Sequence, residues 1–154
     1  DLCAKIEQET NGYHWAQLFL GACCDFGDGT DQNSTKAFEW YTKSTEQGNC
    51  DAMNSLGYCY GKGQGCDQNQ TKAAEWYERS ANLGCSGAMF NFGSYKYGNG
   101  VSKDLNTAQE WYTKAAAQGD EDAQEMLDAL NKKKKKKKKR RMRPEGRLVG
   151  SINR

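Results

Sequence analysis

The residue types that could carry chemistry are few in this sequence and do not form a recognisable active site. Its single histidine, His14, stands beside Trp15 at the start of a predicted helix, and no Ser/His/Asp set, paired-acid motif or metal-ligand spacing recurs. A catalytic centre needs a nucleophile, a base and an orienting group held close together. We therefore predict that these residues do not form an enzyme, and we expect no catalytic residue, no metal and no cofactor.

The cysteines number seven, an odd count, and include no Cys-x-x-Cys pair that would suggest zinc binding or redox chemistry. Cys23 and Cys59 occupy the same position of the repeat described next. A buried cysteine behaves as a small hydrophobic residue, so packing is the favoured interpretation. A disulfide framework is not predicted.

The elements that must position any site come from a stretch of sequence that occurs three times. The copies are separated by 36 and then 35 residues, which indicates a helical repeat that can bury its apolar face only against its neighbours. They are TKAFEWYTKSTEQG at 35–48, TKAAEWYERSANLG at 71–84 and NTAQEWYTKAAAQG at 106–119.

Each copy is predicted to be a helix with a defined start and stop. In the first copy the buried stripe, at helical spacing, consists of Ala37, Trp40, Tyr41 and Ser44. Residues suited to capping precede the copies, and a glycine suited to a left-handed backbone ends each of them. These residues are Asn33, Asn69 and Asp104, then Gly48, Gly84 and Gly119.

A leading helix is predicted before each copy, over residues 13–26, 51–62 and 86–97. Each carries an alanine, then leucine or phenylalanine four residues later, then glycine. Because a glycine inside a helix costs about 1 kcal/mol relative to alanine, its threefold use predicts helices that cross too closely for a side chain. The triplets are Ala16/Leu20/Gly21, Ala52/Leu56/Gly57 and Ala88/Phe92/Gly93.

The chain therefore divides into consecutive segments. We predict a degenerate half-repeat, three repeats, a closing helix and a basic tail that is disordered apart from an extension of the closing helix. The boundaries are 1–12, 13–48, 49–84, 85–119, 120–131 and 132–154.

Charge separates the repeats from the tail. Residues 1–131 hold 9 Lys+Arg and 19 Asp+Glu, a net charge of −10, whereas 132–154 hold 13 and 1, a net charge of +12. The run of eight lysines at 132–139 has three competing interpretations: a nuclear-targeting or nucleic-acid-binding tail, a solvated tail without function, and translation of an adenine-rich tract. We expect weak polyanion binding by the tail and no specific nucleic-acid recognition.

The recurring Ala–Leu–Gly, Gly-x-Gly and Ala-x-x-Trp-Tyr-x-Lys-x-x-x-x-Gly patterns resemble Sel-1-like repeats, which are related to the tetratricopeptide class. The resemblance implies an all-α fold, an αα-hairpin repeat solenoid that forms a right-handed superhelix, and a role as a protein-binding scaffold. In some bacterial relatives, two cysteines about eight residues apart form a disulfide that links the two helices of each pair. Cys50 and Cys85 have no partner at that distance, so the sequence argues against that subfamily.

We accordingly expect a non-enzymatic scaffold or adaptor that binds a peptide or a partner helix of another protein in the concave groove lined by the leading helices. The alternative is the repeat region of a larger signalling enzyme whose catalytic domain lies outside this chain. By analogy with the related repeat class, the groove residues are Trp15, Leu18, Ala22, Asp25, Asn54, Tyr58, Phe90, Ser94 and Tyr97.

Two features bear on location. No run of 18 apolar residues occurs, so a membrane span is not predicted. Asn33 and Asn69 fit the N-glycosylation pattern, which matters only in a secretory lumen, and both also suit helix caps. We favour the cytoplasm, with a secretory lumen as the alternative.

Overall fold

The computed structural model describes residues 2–9, 13–99 and 103–141, and every regular element in those residues is helical. A π-helical turn, Tyr95–Asn99, continues the sixth helix. Among the described helices, none combines the length and the apolar character needed to cross a bilayer. The α-helices are α1 Leu2–Glu9, α2 His14–Phe26, α3 Ser34–Glu46, α4 Cys50–Lys62, α5 Gln70–Asn82, α6 Ser86–Ser94, α7 Leu105–Ala117 and α8 Glu121–Arg141.

The helices form three antiparallel pairs, α2 with α3, α4 with α5 and α6 with α7. Each pair packs on the next through α3 against α4 and α5 against α6, while α1 covers one end and α8 the other. The predicted all-α solenoid of αα-hairpins is confirmed.

The glycine inside each leading helix marks the point where the two helices of a pair cross. A Cβ on Gly21 would lie 2.5 Å from the ring of Tyr41, and one on Gly57 would lie 2.8 Å from the ring of Tyr77. The third pair repeats the contact with Gly93 and Tyr112 at 3.0 Å. The predicted close crossing is confirmed, and its cause is a tyrosine ring seated on the glycine.

The predicted caps of α3, α5 and α7 are present, whereas the third leading helix, predicted over 86–97, is α-helical only as far as Ser94. The side chains of Asn33 and Asn69 accept hydrogen bonds from the third backbone N–H that follows each of them, and Asp104 accepts from two backbone N–H groups. Gly48 and Gly84 have φ angles of 82° and 99°, which only glycine adopts readily.

The predicted buried stripe is correct for tyrosine and only partly correct for tryptophan. Tyr41 and Tyr77 are each 4% exposed, but Trp40 and Trp76 are half-buried. A cation three residues later lies over each tryptophan: Lys43 Nζ is 4.1 Å from the Trp40 ring centroid, and the equivalents are Arg79 on Trp76 and Lys114 on Trp111.

The closing helix is longer than the predicted segment 120–131. Helix α8 runs through the lysine run to Arg141, which is the extension of the closing helix that the sequence analysis exempted from disorder. No glycine or proline interrupts residues 121–141, and lysine is a good helix former. Residues 142–154 lie outside the described part of the chain.

Candidate functional site

The nine predicted groove residues do not form one continuous surface. Three of them line a cavity in the middle of the stack and three line an apolar depression on α2. Asn54 borders the first through its hydrogen bond with Asn91, whereas Asp25 and Tyr97 lie elsewhere. We call the first the central cavity and the second the terminal depression.

The central cavity has a volume of about 550 Å³ and lies between the second and third repeats. The predicted residues Tyr58, Phe90 and Ser94 lie in its wall, and Tyr58 remains 46% exposed. The leading helices α4 and α6 therefore supply the accessible side of the cavity. Its full lining is Tyr58, Gly61, Lys62, Gln68, Gln70, Tyr77, Phe90, Asn91, Ser94, Tyr95 and Met126.

Aromatic rings shape the floor of the central cavity. The rings of Tyr77 and Tyr95 are 5.1 Å apart between centroids, and the Tyr95 hydroxyl occupies the space that a Cβ on Gly61 would need. Burial raises the pKa of both Tyr77 and Tyr95, so these phenols stay neutral. The floor is thus uncharged and able to cover apolar side chains.

Amide groups give the same cavity a polar component. The Gly61 carbonyl accepts hydrogen bonds from Gln68 Nε2 at 2.7 Å and Gln70 Nε2 at 3.0 Å. Gln70 Oε1 is buried and has no hydrogen-bond partner among the described residues. At the edge, Asn91 Nδ2 donates to the predicted groove residue Asn54 at 2.9 Å. Further amide groups therefore lie within reach of a bound main chain.

The sequence did not predict eight of the cavity residues, which are Gly61, Lys62, Gln68, Gln70, Tyr77, Asn91, Tyr95 and Met126. The prediction considered fixed positions of each leading helix separately. It missed these residues because the cavity is formed by side chains of two successive repeats. The glycine at position 61, which replaces Asp25 of the first repeat, was the available signal because it leaves room for a side chain of the next leading helix.

The terminal depression lies on the first leading helix. Trp15, Leu18 and Ala22 line it as predicted, together with Phe19, and it has a volume of about 550 Å³. Trp15 is 57% and Phe19 49% exposed. The three predicted residues are brought together, but no polar side chain shares the depression with them.

Asp25 is buried instead of facing a ligand. It is 8% exposed, and its Oδ1 has no hydrogen-bond partner among the described residues. Burial raises the pKa of its carboxyl. Burial also raises the pKa of the Cys59 thiol to about 12, with a further contribution from Asp25. Asp25 therefore belongs to the core between the first two repeats.

The cysteine prediction is wrong in one respect, because Cys50 and Cys85 form a disulfide. Cys50 begins α4 and Cys85 immediately precedes α6, and the solenoid places these two helix starts side by side. Cysteine spacing within one helix pair does not indicate this disulfide, because the bond joins two successive pairs. The Asp51 carboxylate and the sulfur atoms of Cys50 and Cys85 lie within 4.8 Å of one another, a spacing that could suit a metal ion. Both sulfur atoms are bonded to each other in the disulfide, so they do not act as thiolate ligands.

Comparisons with known proteins agree with this architecture. A family model described as Sel1 repeat matches residues 16–49, 50–85 and 86–120. The crystal structure of a Sel1 repeat protein from Oxalobacter formigenes is similar, with 37% identity and a TM-score of 0.71 over 82% of this chain and 96% of that one.

Two further structures are similar. A protective antigen from uropathogenic Escherichia coli strains, which displays an SLR fold, has 32% identity and a TM-score of 0.73. That match covers 79% of this chain and 26% of the antigen. Cysteine rich protein B of Helicobacter pylori has 24% identity and a TM-score of 0.66, over 82% of this chain and 98% of that one, which shows the fold alone. No curated protein matches this sequence.

Proposed function

Because this chain belongs to the Sel1 repeat family, whose members are generally non-catalytic protein-interaction scaffolds, we propose that it binds a peptide or a partner helix of another protein at the central cavity. The partner is a protein, and the cavity acts as a recognition surface without chemistry. The role as a scaffold rests on the family, and the place of binding rests on the geometry.

The observation that supports this place is the combination of rings and amides in one cavity of about 550 Å³. Aromatic side chains supply a large contact area at low entropic cost, and they dominate the binding energy of many interfaces. Tyr58 stands at the exposed rim, while Tyr77 and Tyr95 form the floor. A large apolar side chain of the partner would be covered on several sides.

The amide groups suit the main chain of the same partner. Peptide N–H and C=O groups lose water on binding and must find replacement hydrogen bonds. Gln70 Oε1 is a buried acceptor without a described partner, and the amides of Asn54 and Asn91 lie at the cavity edge. We infer that an apolar anchor fills the cavity and that the flanking main chain bonds to these amides.

The test begins with peptides selected from a displayed random library on the immobilised full chain. Affinity of one selected peptide is then measured by fluorescence anisotropy. We expect Tyr58→Ala to weaken binding about tenfold or more, because truncating an aromatic hot-spot residue of an interface costs about 2 kcal/mol or more. Tyr58 is 46% exposed, so its removal should leave the circular dichroism spectrum unchanged.

Phe26→Ala is the matched control, because Phe26 is also an exposed aromatic residue, at 78%, and does not line the central cavity. It should bind the peptide with the affinity of the parent. Equal loss in both variants, or loss only with Phe26→Ala, would place binding elsewhere on the solenoid.

A further inference from the structure

Four lysines converge on one cavity at the end of the solenoid, away from the central cavity. This lysine pocket has a volume of about 310 Å³ and contains Lys103, Lys133, Lys134 and Lys137. Tyr97, Leu105, Asn106 and Leu130 complete its wall, so none of its lining residues carries a carboxylate.

Two separate parts of the chain build the lysine pocket. Lys133, Lys134 and Lys137 share one face of α8, since Lys137 follows Lys134 by three residues and Lys133 by four, and side chains at these spacings are neighbours on a helix. Lys103 comes from the segment before α7, and Leu105 begins α7. The pocket thus depends on α8 remaining helical beyond Leu130, the last buried residue of that helix.

Positive charges meet at Tyr97 inside this pocket. Lys133 Nζ donates a hydrogen bond to the Tyr97 hydroxyl at 2.8 Å and lies 5.5 Å from the ring centroid. Lys103 Nζ lies 4.9 Å from the same centroid. The pKa of Tyr97 is lowered by the hydrogen bond from Lys133 and by both lysine charges. Like charges brought this close repel each other unless an anion lies between them.

The carboxylate that follows Lys103 directly in the sequence, that of Asp104, caps α7. Asp104 accepts hydrogen bonds from the backbone N–H groups of Asn106 and Thr107 and from the Thr107 hydroxyl, as the cap of α7. Lys134 donates to the neutral amide oxygen of Gln109. Lys103, Lys133 and Lys134 thus contact neutral ring, hydroxyl and amide groups, and the charge gathered in the pocket is available to an external anion.

We propose that the lysine pocket binds a compact anion that carries two or more neighbouring phosphate groups. Ammonium groups form strong charge-assisted hydrogen bonds with phosphate oxygens, and several of them match a ligand of several charges. The Asn106 side chain and the Tyr97 hydroxyl add neutral donors, and Leu105 and Leu130 complete the wall of the pocket. A single orthophosphate carries too little charge to engage all four lysines.

The experiment is calorimetric titration of the full chain with tripolyphosphate at 0.15 M salt. The pocket variant Lys133→Gln/Lys137→Gln is compared with Lys135→Gln/Lys139→Gln. The second pair removes the same charge from the opposite face of α8, and neither of its lysines lines the pocket. We expect the pocket variant to bind at least about tenfold more weakly, and the control within about twofold of the parent. Orthophosphate should bind much more weakly than tripolyphosphate.

Two further ligands distinguish the sources of such an anion. Vesicles that contain a multiply phosphorylated inositol lipid test a headgroup, and an oligothymidylate tests a nucleic-acid backbone. Loss of vesicle binding confined to the pocket variant would support the proposal and identify a lipid source. Equal weakening of all ligands by both variants would overturn it, because the lysine run would then act only as a polyelectrolyte. Equal affinity for orthophosphate and tripolyphosphate would overturn it as well.

Discussion

At the scale of single residues, one tyrosine in each repeat fits onto a glycine of the facing helix. Tyr77 illustrates the arrangement: it is 4% exposed, and its ring lies where a Cβ on Gly57 would stand. The adjacent Trp76 is half-buried and covered by the Arg79 guanidinium, 4.9 Å from the ring centroid. In the first two copies the two aromatic residues therefore have different roles, with the tyrosine in the core and the tryptophan nearer its edge, whereas in the third copy Trp111 is buried together with Tyr112.

We therefore expect Tyr77→Ala to cost about 3–5 kcal/mol of unfolding free energy, as truncation of a buried aromatic side chain commonly does. Trp76→Ala should cost clearly less, because part of that side chain is already in water in the folded state. Urea denaturation followed by circular dichroism measures both. A larger loss for Trp76→Ala would mean that the tryptophan, and not the tyrosine, holds the helices together.

At the scale of elements, successive leading helices are linked at their starts. The disulfide between Cys50 and Cys85 links α4 to α6. One repeat earlier, the equivalent positions are linked by a hydrogen bond of 3.0 Å between His14 Nδ1 and Asn49 Nδ2. Both links join the starts of successive leading helices across the boundary between two repeats.

Reduction of this disulfide should destabilise the stack. The two cysteines are 35 residues apart. In the entropic model, closing a loop of that length lowers the entropy of the unfolded chain and so stabilises the folded state by about 3–4 kcal/mol. We expect dithiothreitol to lower the urea midpoint of the parent. The variant Cys50→Ser/Cys85→Ser should already show the lowered midpoint and should not respond to the reductant. An unchanged parent midpoint would mean that the bond contributes nothing to stability.

The sequence allowed correct prediction of features that depend on a single helix pair. Helix caps such as Asn33 and the crossing at Gly57 follow from local pattern, because each repeat reproduces them. Contacts between repeats were not predictable in this way. Cys50 and Cys85 differ by one in their repeat positions, so their pairing depends on how the superhelix stacks.

The candidate site shows the same limit. Asp25, Gly61 and Tyr97 occupy equivalent repeat positions, and Asp25 and Tyr97 were both predicted to line the groove. The structure buries Asp25, seats the Tyr95 hydroxyl beside Gly61 and places Tyr97 against α8. Each environment is set by the neighbouring repeat, which differs at every step of the solenoid.

At the scale of the whole molecule, an acidic stack carries a basic helix at one end. Residues 1–131 have a net charge of −10, and the lysine run of α8 begins at the next residue. Two electrostatic effects act on this part of α8. Attraction to the stack operates over long distances, whereas repulsion operates between lysines one helical turn apart, about 5–6 Å between their Cβ atoms.

Salt should separate these two effects. At 0.1 M salt the screening length is about 10 Å, so the attraction of α8 to distant carboxylates is already weak. At 1 M salt the screening length falls to about 3 Å, and the repulsion between neighbouring lysines is screened as well. Each like-charged pair four residues apart costs about 0.2–0.5 kcal/mol, and the run contains several such pairs. We therefore expect the helicity of the full chain, measured by ellipticity at 222 nm, to rise between 0.1 and 1 M salt.

A chain that ends at Asn131 supplies the comparison, because it keeps Leu130, the last buried residue of α8, and lacks the lysines. Its ellipticity should change little over the same range of salt, since the helices of the stack are held by buried tyrosine, alanine and leucine side chains. If both chains respond equally, the change originates in the stack. If the full chain loses helicity as salt rises, attraction to the acidic repeats is what keeps the lysine run helical, and the lysine pocket would weaken with it.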